Sequence, residues 1–247
     1  MIIFITGATA GFGAAMVKRF INKGYKVIAT GRRSERLDQM KAEFGDNLYP
    51  LILDVQNKEM VSKAIDSLPA EWKKIDVLIN NAGLALGTEL AHKASLEDWD
   101  TMIQTNINGL LYCTHKILPD MVSRNHGQII NLGSVAGEYP YQGGNVYGAT
   151  KAFVHQMSLN LRSDLLGTNV RVTNIEPGMC HTEFSEVRFK GDKEKADSVY
   201  KGIKALSADD IAETIDWVIS RPAHVNINVI SMMPTMQAFA GFSVHRT

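Results

Sequence analysis

Ser134, Tyr147 and Lys151 are the residues whose types and spacing suit them to chemistry together. Tyr147 and Lys151 stand four apart in Tyr-Gly-Ala-Thr-Lys, so on a helix they share a face, and an ammonium lies beside a phenol. A free phenol ionises at about pH 10, too high for efficient proton exchange at neutrality. A nearby cation favours the phenolate and moves the group toward what proton transfer to an alkoxide or carbonyl oxygen requires. Ser134 follows the apolar run Ile129-Ile130-Asn131-Leu132, which has the pattern of a buried strand. From a strand end facing the same space, its hydroxyl can hold that oxygen. Taken alone, Tyr-x-x-x-Lys is equally an ordinary amphipathic pair on a helix surface.

The elements that must position these groups begin at the N-terminus. Ile2 to Ile5 is a short apolar run of the kind that forms a buried parallel strand. It runs into Thr6-Gly7-Ala8-Thr9-Ala10-Gly11-Phe12-Gly13, and helical periodicity follows from Ala14 to Lys23. A glycine turn between strand and helix lets backbone amides approach a pyrophosphate at the helix N-terminus. The second strand, Lys26 to Thr30, is followed by Gly31-Arg32-Arg33, with no acid before Glu35. A carboxylate there would bond a ribose 2′-hydroxyl, whereas guanidiniums bind a 2′-phosphate, so NADP is expected rather than NAD. Two solvated arginines ahead of a helix are the plainer alternative.

Further strands are expected at Leu48 to Leu53, Ile75 to Ile79, Ile129 to Leu132, Arg171 to Ile175 and Asn226 to Ile230, with helices between them. Asp54, at the third strand's end, suits either an adenine amino group or a helix cap before Asn57. Asn80-Asn81-Ala82-Gly83 suits a flat cofactor or any tight turn. Ser95 to Arg124 reads as a long, mainly helical stretch with Asn106 in its middle and Pro119 breaking or kinking its far end. Glu183 to Lys204 is rich in charge and follows a strand's carboxyl end, where a segment covering substrate would lie; a solvated surface helix has the same composition. Met232 to Phe242 is apolar and suits packing on the body or on a second subunit. The alternation argues a single-domain α/β Rossmann fold over 1–247, a doubly wound parallel sheet of about seven strands with helices on both faces.

Composition bounds the partners. Twenty-six basic residues balance twenty-six acidic ones, so nothing points to nucleic acid or an anionic membrane. Cys113 and Cys180 lack metal or redox spacing, the seven histidines form no ligand motif, and no metal is expected. No segment approaches a membrane span and no leader pattern precedes Ile2, so a cytoplasmic protein with free thiols is expected.

Taken in order, Thr6-Gly7-x-x-x-Gly11-x-Gly13, Asn80-Asn81-Ala82-Gly83, Asn106, Ser134, Tyr147-x-x-x-Lys151 and Pro177-Gly178 with Thr182 resemble the short-chain dehydrogenase/reductase family over essentially the whole chain. Within it, the segments ITGATAGFG, IATGRR, NNAGLALG, GGNVYGATKAFV, VRFKGD and PAHVNIN and the ending VHR are similar to the bacterial NADP-dependent 3-hydroxy acid dehydrogenases. The resemblance implies Tyr147 as general acid/base, Lys151 lowering its pKa and bonding the nicotinamide ribose, Ser134 orienting the substrate oxygen, and Asn106 holding a relay water. It implies a cofactor site of Gly7, Ala8, Thr9, Ala10, Gly11, Phe12 and Gly13 at the pyrophosphate. Arg32 and Arg33 fall at the 2′-phosphate, Asp54 and Val55 at adenine, and Asn81 along the ribose. Pro177, Gly178, Thr182 and Ser185 lie over the nicotinamide. It also implies a homotetramer. The substrate class is then small 3-hydroxy acids such as serine, allo-threonine or 3-hydroxypropionate, whose carboxylate needs a cation; Arg188 is the expected one. A 3-oxoacyl thioester reductase shares the same catalytic set, and a non-catalytic NADP-binding sensor shares the fold.

Overall fold

The computed structural model describes residues 1–239. Seven parallel strands alternate with helices: β1 (Ile2–Ile5), α1 (Gly11–Asn22), β2 (Lys26–Gly31), α2 (Ser34–Phe44), β3 (Leu48–Ile52), α3 (Lys58–Asp66), β4 (Val77–Asn80), α4 (Leu96–Ile103), α5 (Leu110–Ser123), β5 (Gly127–Leu132), α6 (Asn145–Asp164), β6 (Val170–Pro177), α7 (Phe184–Arg188), α8 (Lys193–Ser198), α9 (Ala208–Ile219) and β7 (Val229–Met232). The strand order is β3-β2-β1-β4-β5-β6-β7. The chain therefore reverses direction across the sheet between β1 and β4. A crevice opens at that point, at the carboxyl ends of the strands.

The inner strands are apolar throughout because both faces are covered. Ile3, Ile5, Val27, Ala29, Ile79 and Ile130 pack with Met16, Phe20, Ile211 and Ile215 of α1 and α9. Their neighbours in sequence, Phe4, Ile28, Leu78 and Ile129, point the other way and pack with Val61, Ile117, Met121 and Leu161 of α3, α5 and α6. The period-two alternation of side chains thus feeds two cores from one set of strands.

Three local readings change. Helix α1 starts at Gly11 rather than Ala14, with Ala10 as its extended N-cap. The glycines that argue against a helix by propensity are required by packing: a β-carbon on Gly13 would collide with the Gly7 carbonyl oxygen and lie 2.7 Å from the Ala8 α-carbon. The long helical stretch is present as α4 and α5 joined without a break by a π-helical turn, Gln104–Gly109. Pro119 does not end α5, which continues to Ser123; Ile117 and Met121 are buried on either side, and packing outweighs the lost ladder bond. The last strand begins at Val229 rather than Asn226. Asn226 imitates a strand residue with its side chain, accepting from Val172 N at 2.8 Å and donating to Val172 O at 2.9 Å.

Candidate active site

A cavity of about 750 Å³ occupies the crevice and runs from the glycine turn to Tyr147. Its floor at one end is backbone. Gly7 and Gly11 have φ of +64° and +49°, a left-handed conformation that L side chains rarely adopt. Gly7, Thr9, Ala10, Gly11 and Phe12 line the cavity. Ala8 and Gly13 do not: Ala8 is buried with its N–H bonded to the Thr30 carbonyl at 2.7 Å, and Gly13 is packed beneath the turn. Asn81 ties the turn to β4, donating from Nδ2 to the carbonyls of Thr6 and Gly7 at 2.8 and 3.0 Å.

The catalytic candidates converge at the other end. Ser134 extends beyond β5, its Oγ accepting from Ala136 N at 3.1 Å and donating to the Pro177 carbonyl at 3.4 Å. Tyr147 and Lys151 lie one turn apart on α6, both buried and both lining the cavity. The Lys151 ammonium donates to the Leu132 carbonyl at 2.7 Å and stands 5.8 Å from the Tyr147 ring centre. Asn106 sits in the π-helical turn, a wide turn of the kind found at functional sites. Its amide is fully engaged: Nδ2 donates to Leu84 O at 2.9 Å and Thr150 Oγ1 at 3.0 Å, while Oδ1 accepts from Leu84 N at 2.9 Å. Thr150 in turn donates to the Tyr147 carbonyl at 2.8 Å. Asn106 is therefore a support behind Tyr147 and Lys151, and does not itself line the cavity.

Burial pushes the Tyr147 phenol above its ordinary value, opposed by the Ser134 hydroxyl and the Arg188 guanidinium. The Lys151 ammonium faces the Leu132 carbonyl, and burial lowers its pKa to about 8. The Cys180 thiol also lines the cavity, and burial raises it to about 12, so it is inert as a nucleophile at neutrality.

At the far end from Tyr147, Arg32 and Arg33 follow β2 and line the cavity with Asp54 and Val55. Arg32 has no ion-pair partner among the described residues. Arg33 donates to Thr9 Oγ1 at 3.1 and 3.0 Å. Asp54 is not a helix cap. It accepts from Gln56 N at 3.0 Å, and Asn57 caps α3.

The 183–204 segment folds as α7 and α8, and Phe184, Ser185, Val187 and Arg188 face the cavity. Ser185 is engaged elsewhere, with its hydroxyl 2.6 Å from the Tyr200 hydroxyl, which donates to Cys180 O. Arg188 donates to Gly87 O at 3.1 Å and to the Tyr141 hydroxyl at 3.0 Å, and its guanidinium lies 5.9 Å from the Tyr147 ring centre. Among the described residues no carboxylate lies within ion-pairing distance of it. The tail packs on its own chain: Gln237 accepts from Met179 N at 2.7 Å, and the Phe239 ring lies 4.5 Å from that of Tyr139. Residues 240–247, with the VHR ending, fall outside the described part. Tyr141, Arg36, Glu183 and Gln237 were not singled out from sequence. Each reaches the site by contacts across more than twenty residues, which no local pattern signals.

The site fits a dinucleotide carrying a 2′-phosphate. The left-handed glycines open backbone to a pyrophosphate, and two arginines stand where a ribose-binding acid would repel that phosphate. The fold and site together define a dinucleotide-dependent dehydrogenase of the Rossmann type. More specifically, the chain belongs to the short-chain dehydrogenase family, whose model matches residues 1–193. It is 62% identical over 247 residues to the NADP-dependent 3-hydroxy acid dehydrogenase YdfG of Escherichia coli K12, with both chains fully covered. It is 55% identical over 244 residues to serine 3-dehydrogenase of Rhizobium radiobacter, covering 99% of this chain and 98% of that one. Among solved structures, the closed form of a serine dehydrogenase complexed with NADP+ superposes with a TM-score of 0.99 at 62% identity, each chain covered in full.

Proposed function

We propose that the protein is an NADP-dependent dehydrogenase of small 3-hydroxy acids, interconverting the C3 alcohol and the corresponding carbonyl. The observation that carries the substrate class is Arg188, a cation beside Tyr147 with no carboxylate partner among the described residues. A guanidinium already held by Gly87 and Tyr141 is pre-organised to receive a substrate carboxylate. The NADP-dependent 3-hydroxy acid dehydrogenase and the serine dehydrogenases named above support the same reading.

Held by the glycine turn with Arg32 and Arg33, NADP(H) would supply the hydride acceptor or donor for the substrate carbon. The chain's residues manage everything else. Ser134 orients the C3 oxygen, and Tyr147 exchanges its proton: the O–H proton passes to the phenolate in oxidation, and the phenol gives it back in reduction. Lys151 fixes the local charge, and Asn106 with Thr150 holds α6 against the 84–86 loop. Phe184 and Val187, with the 183–204 segment acting as a lid, exclude water from the reacting atoms. Among the described residues the carboxylates lining the cavity are Asp54, which accepts from Gln56 N, and Glu183, which is paired with Arg33 and Arg36, so both are already engaged. Acids without the amino group, such as 3-hydroxypropionate, should bind at least as well as serine.

The assembly we propose is a cytoplasmic homotetramer. The exposed Leu96 and Ile103 of α4 support a subunit contact on that face, and light scattering on the purified protein tests it. No helix among the described residues is long and apolar enough to cross a membrane. The activity is tested by replacing Arg188 with Gln and following NADPH absorbance. KM for 3-hydroxypropionate should rise by about 10- to 100-fold, the worth of a charge-assisted bond, with a smaller change in kcat. An unchanged KM would reject Arg188 as the anion site.

A further inference from the structure

The residues that begin the 183–204 segment reach back across the glycine turn. Thr182 rests on Gly11, where an added β-carbon would meet its own at 3.5 Å. Glu183, beside it, closes a bridge. Arg36 Nη1 donates to its two carboxylate oxygens at 2.9 and 3.2 Å, and Arg33 Nη1 donates to Oε2 at 3.3 Å. The same arginines are tied to the turn: Arg33 donates twice to Thr9 Oγ1, and Arg36 Nη1 donates to the Thr9 carbonyl at 3.0 Å. Glycine turn, arginines and covering segment are thus joined in a closed ring of contacts at the groove. Partial burial works to raise the Glu183 carboxyl, but the hydrogen bonds and charges of Arg36 and Arg33 outweigh it and keep the group ionised.

We propose that Glu183 is a cofactor-retention residue: its bridge to Arg33 and Arg36 straps residues 182–183 over the glycine turn, so that NADP(H) exchanges only when the bridge opens. The proposal rests on the NADP reading of the groove. It divides the arginines by task. Arg32 lines the cavity without a carboxylate partner among the described residues and is left to the 2′-phosphate. Arg36 lies outside the cavity lining and serves the strap, while Arg33 touches both. The strap is held here by charge. The bridging side chains are 41–45% exposed, so their pairing is sensitive to salt and individually weak. A fastening that must open every turnover suits such contacts better than a dry apolar seam.

Stopped-flow fluorescence of NADPH release from the full chain, chased with excess NADP+, tests this. Glu183→Gln and Arg36→Gln should each release NADPH about fivefold faster, as the loss of weak, half-exposed pairs implies. The double variant should be no faster than the faster single one. Release from the unmodified chain should quicken with rising salt, and that dependence should flatten in both variants. The charge swap, Glu183→Arg with Arg36→Glu, should recover slow release. A mere packing role would leave the salt dependence intact. Unchanged or slower release from Glu183→Gln, or additive effects of the two single variants, would overturn the strap while leaving the cofactor reading standing. Failure of the unmodified chain to bind NADPH would overturn both.

Discussion

The floor of the active site and the segment that covers it are built from opposite materials. Ser134, Tyr147, Lys151 and Asn106 are buried, and the side chains of Ser134, Lys151 and Asn106 bond to main-chain groups of other elements: Pro177, Leu132 and Leu84. The covering segment is fastened by Glu183, Arg188 and Lys190, through exposed ion pairs or hydrogen bonds to surface loops. Desolvated hydrogen bonds to backbone have no slack, whereas exposed ion pairs contribute little and break readily. The chemistry needs fixed distances to a transition state, while ligand exchange needs a cover that opens. The two regions divide those demands between them.

The comparison can be broken most sharply on the fixed side. Tyr147→Phe should cut turnover by about 10³-fold, as loss of the proton-transfer group implies, while leaving the melting temperature close to that of the unmodified chain. A small loss would move the acid/base role to another group. Arg188→Gln stands between the regions and should appear mainly in KM. A tenfold loss in kcat with KM intact would instead place Arg188 in the transition state.

Lys151→Met separates stability from function. Burial lowers Lys151 to about 8 from an ordinary value of 10.5, so the folded chain bears a penalty for holding this charge that is fully present below pH 8. The penalty fades as pH rises from about 8, where the folded chain sheds the proton, and is gone by 10.5, where the unfolded chain has lost it too. The variant should therefore be inactive and more stable by roughly 1–3 kcal/mol at pH 7 in denaturant unfolding without cofactor, the gain disappearing in alkali. Equal stability at pH 7 would show that the Leu132 bond offsets the burial cost.

The smallest signal is spectroscopic. Because burial raises the Tyr147 phenol, a difference titration of the unmodified chain against Tyr147→Phe in the phenolate band should show no signal from this residue below about pH 10. A phenolate appearing near pH 8 would show that Lys151 outweighs the burial.

Much of the floor is legible in the sequence, and little of its fastening is. The glycine turn, Arg32-Arg33, Ser134 and Tyr147-x-x-x-Lys151 are each compact in sequence and sit just after a strand or at a helix start, where the fold class fixes their direction. Asn106 is legible as a residue but not as a support, because the π-helical turn that points it at Leu84 and Thr150 has no propensity signature. The Glu183 to Arg36 pair spans 147 positions, and the tail contact of Gln237 with Met179 spans 58. Such contacts exist only once the sheet order brings the ends together. Spacing places Lys151 and Tyr147 on one face, but their burial, which shifts both groups, is set by the tertiary packing around them.

The central claim is tested most directly by steady-state absorbance at the NADPH band, with 3-hydroxypropionate, L-serine and L-allo-threonine offered with NADP+ and with NAD+, and an acetoacetyl thioester offered with NADPH. Turnover of the acids with NADP+, much weaker turnover with NAD+, and little reduction of the thioester is the predicted result. Silence on all three acids with rapid thioester reduction would contradict it and make the protein an acyl reductase.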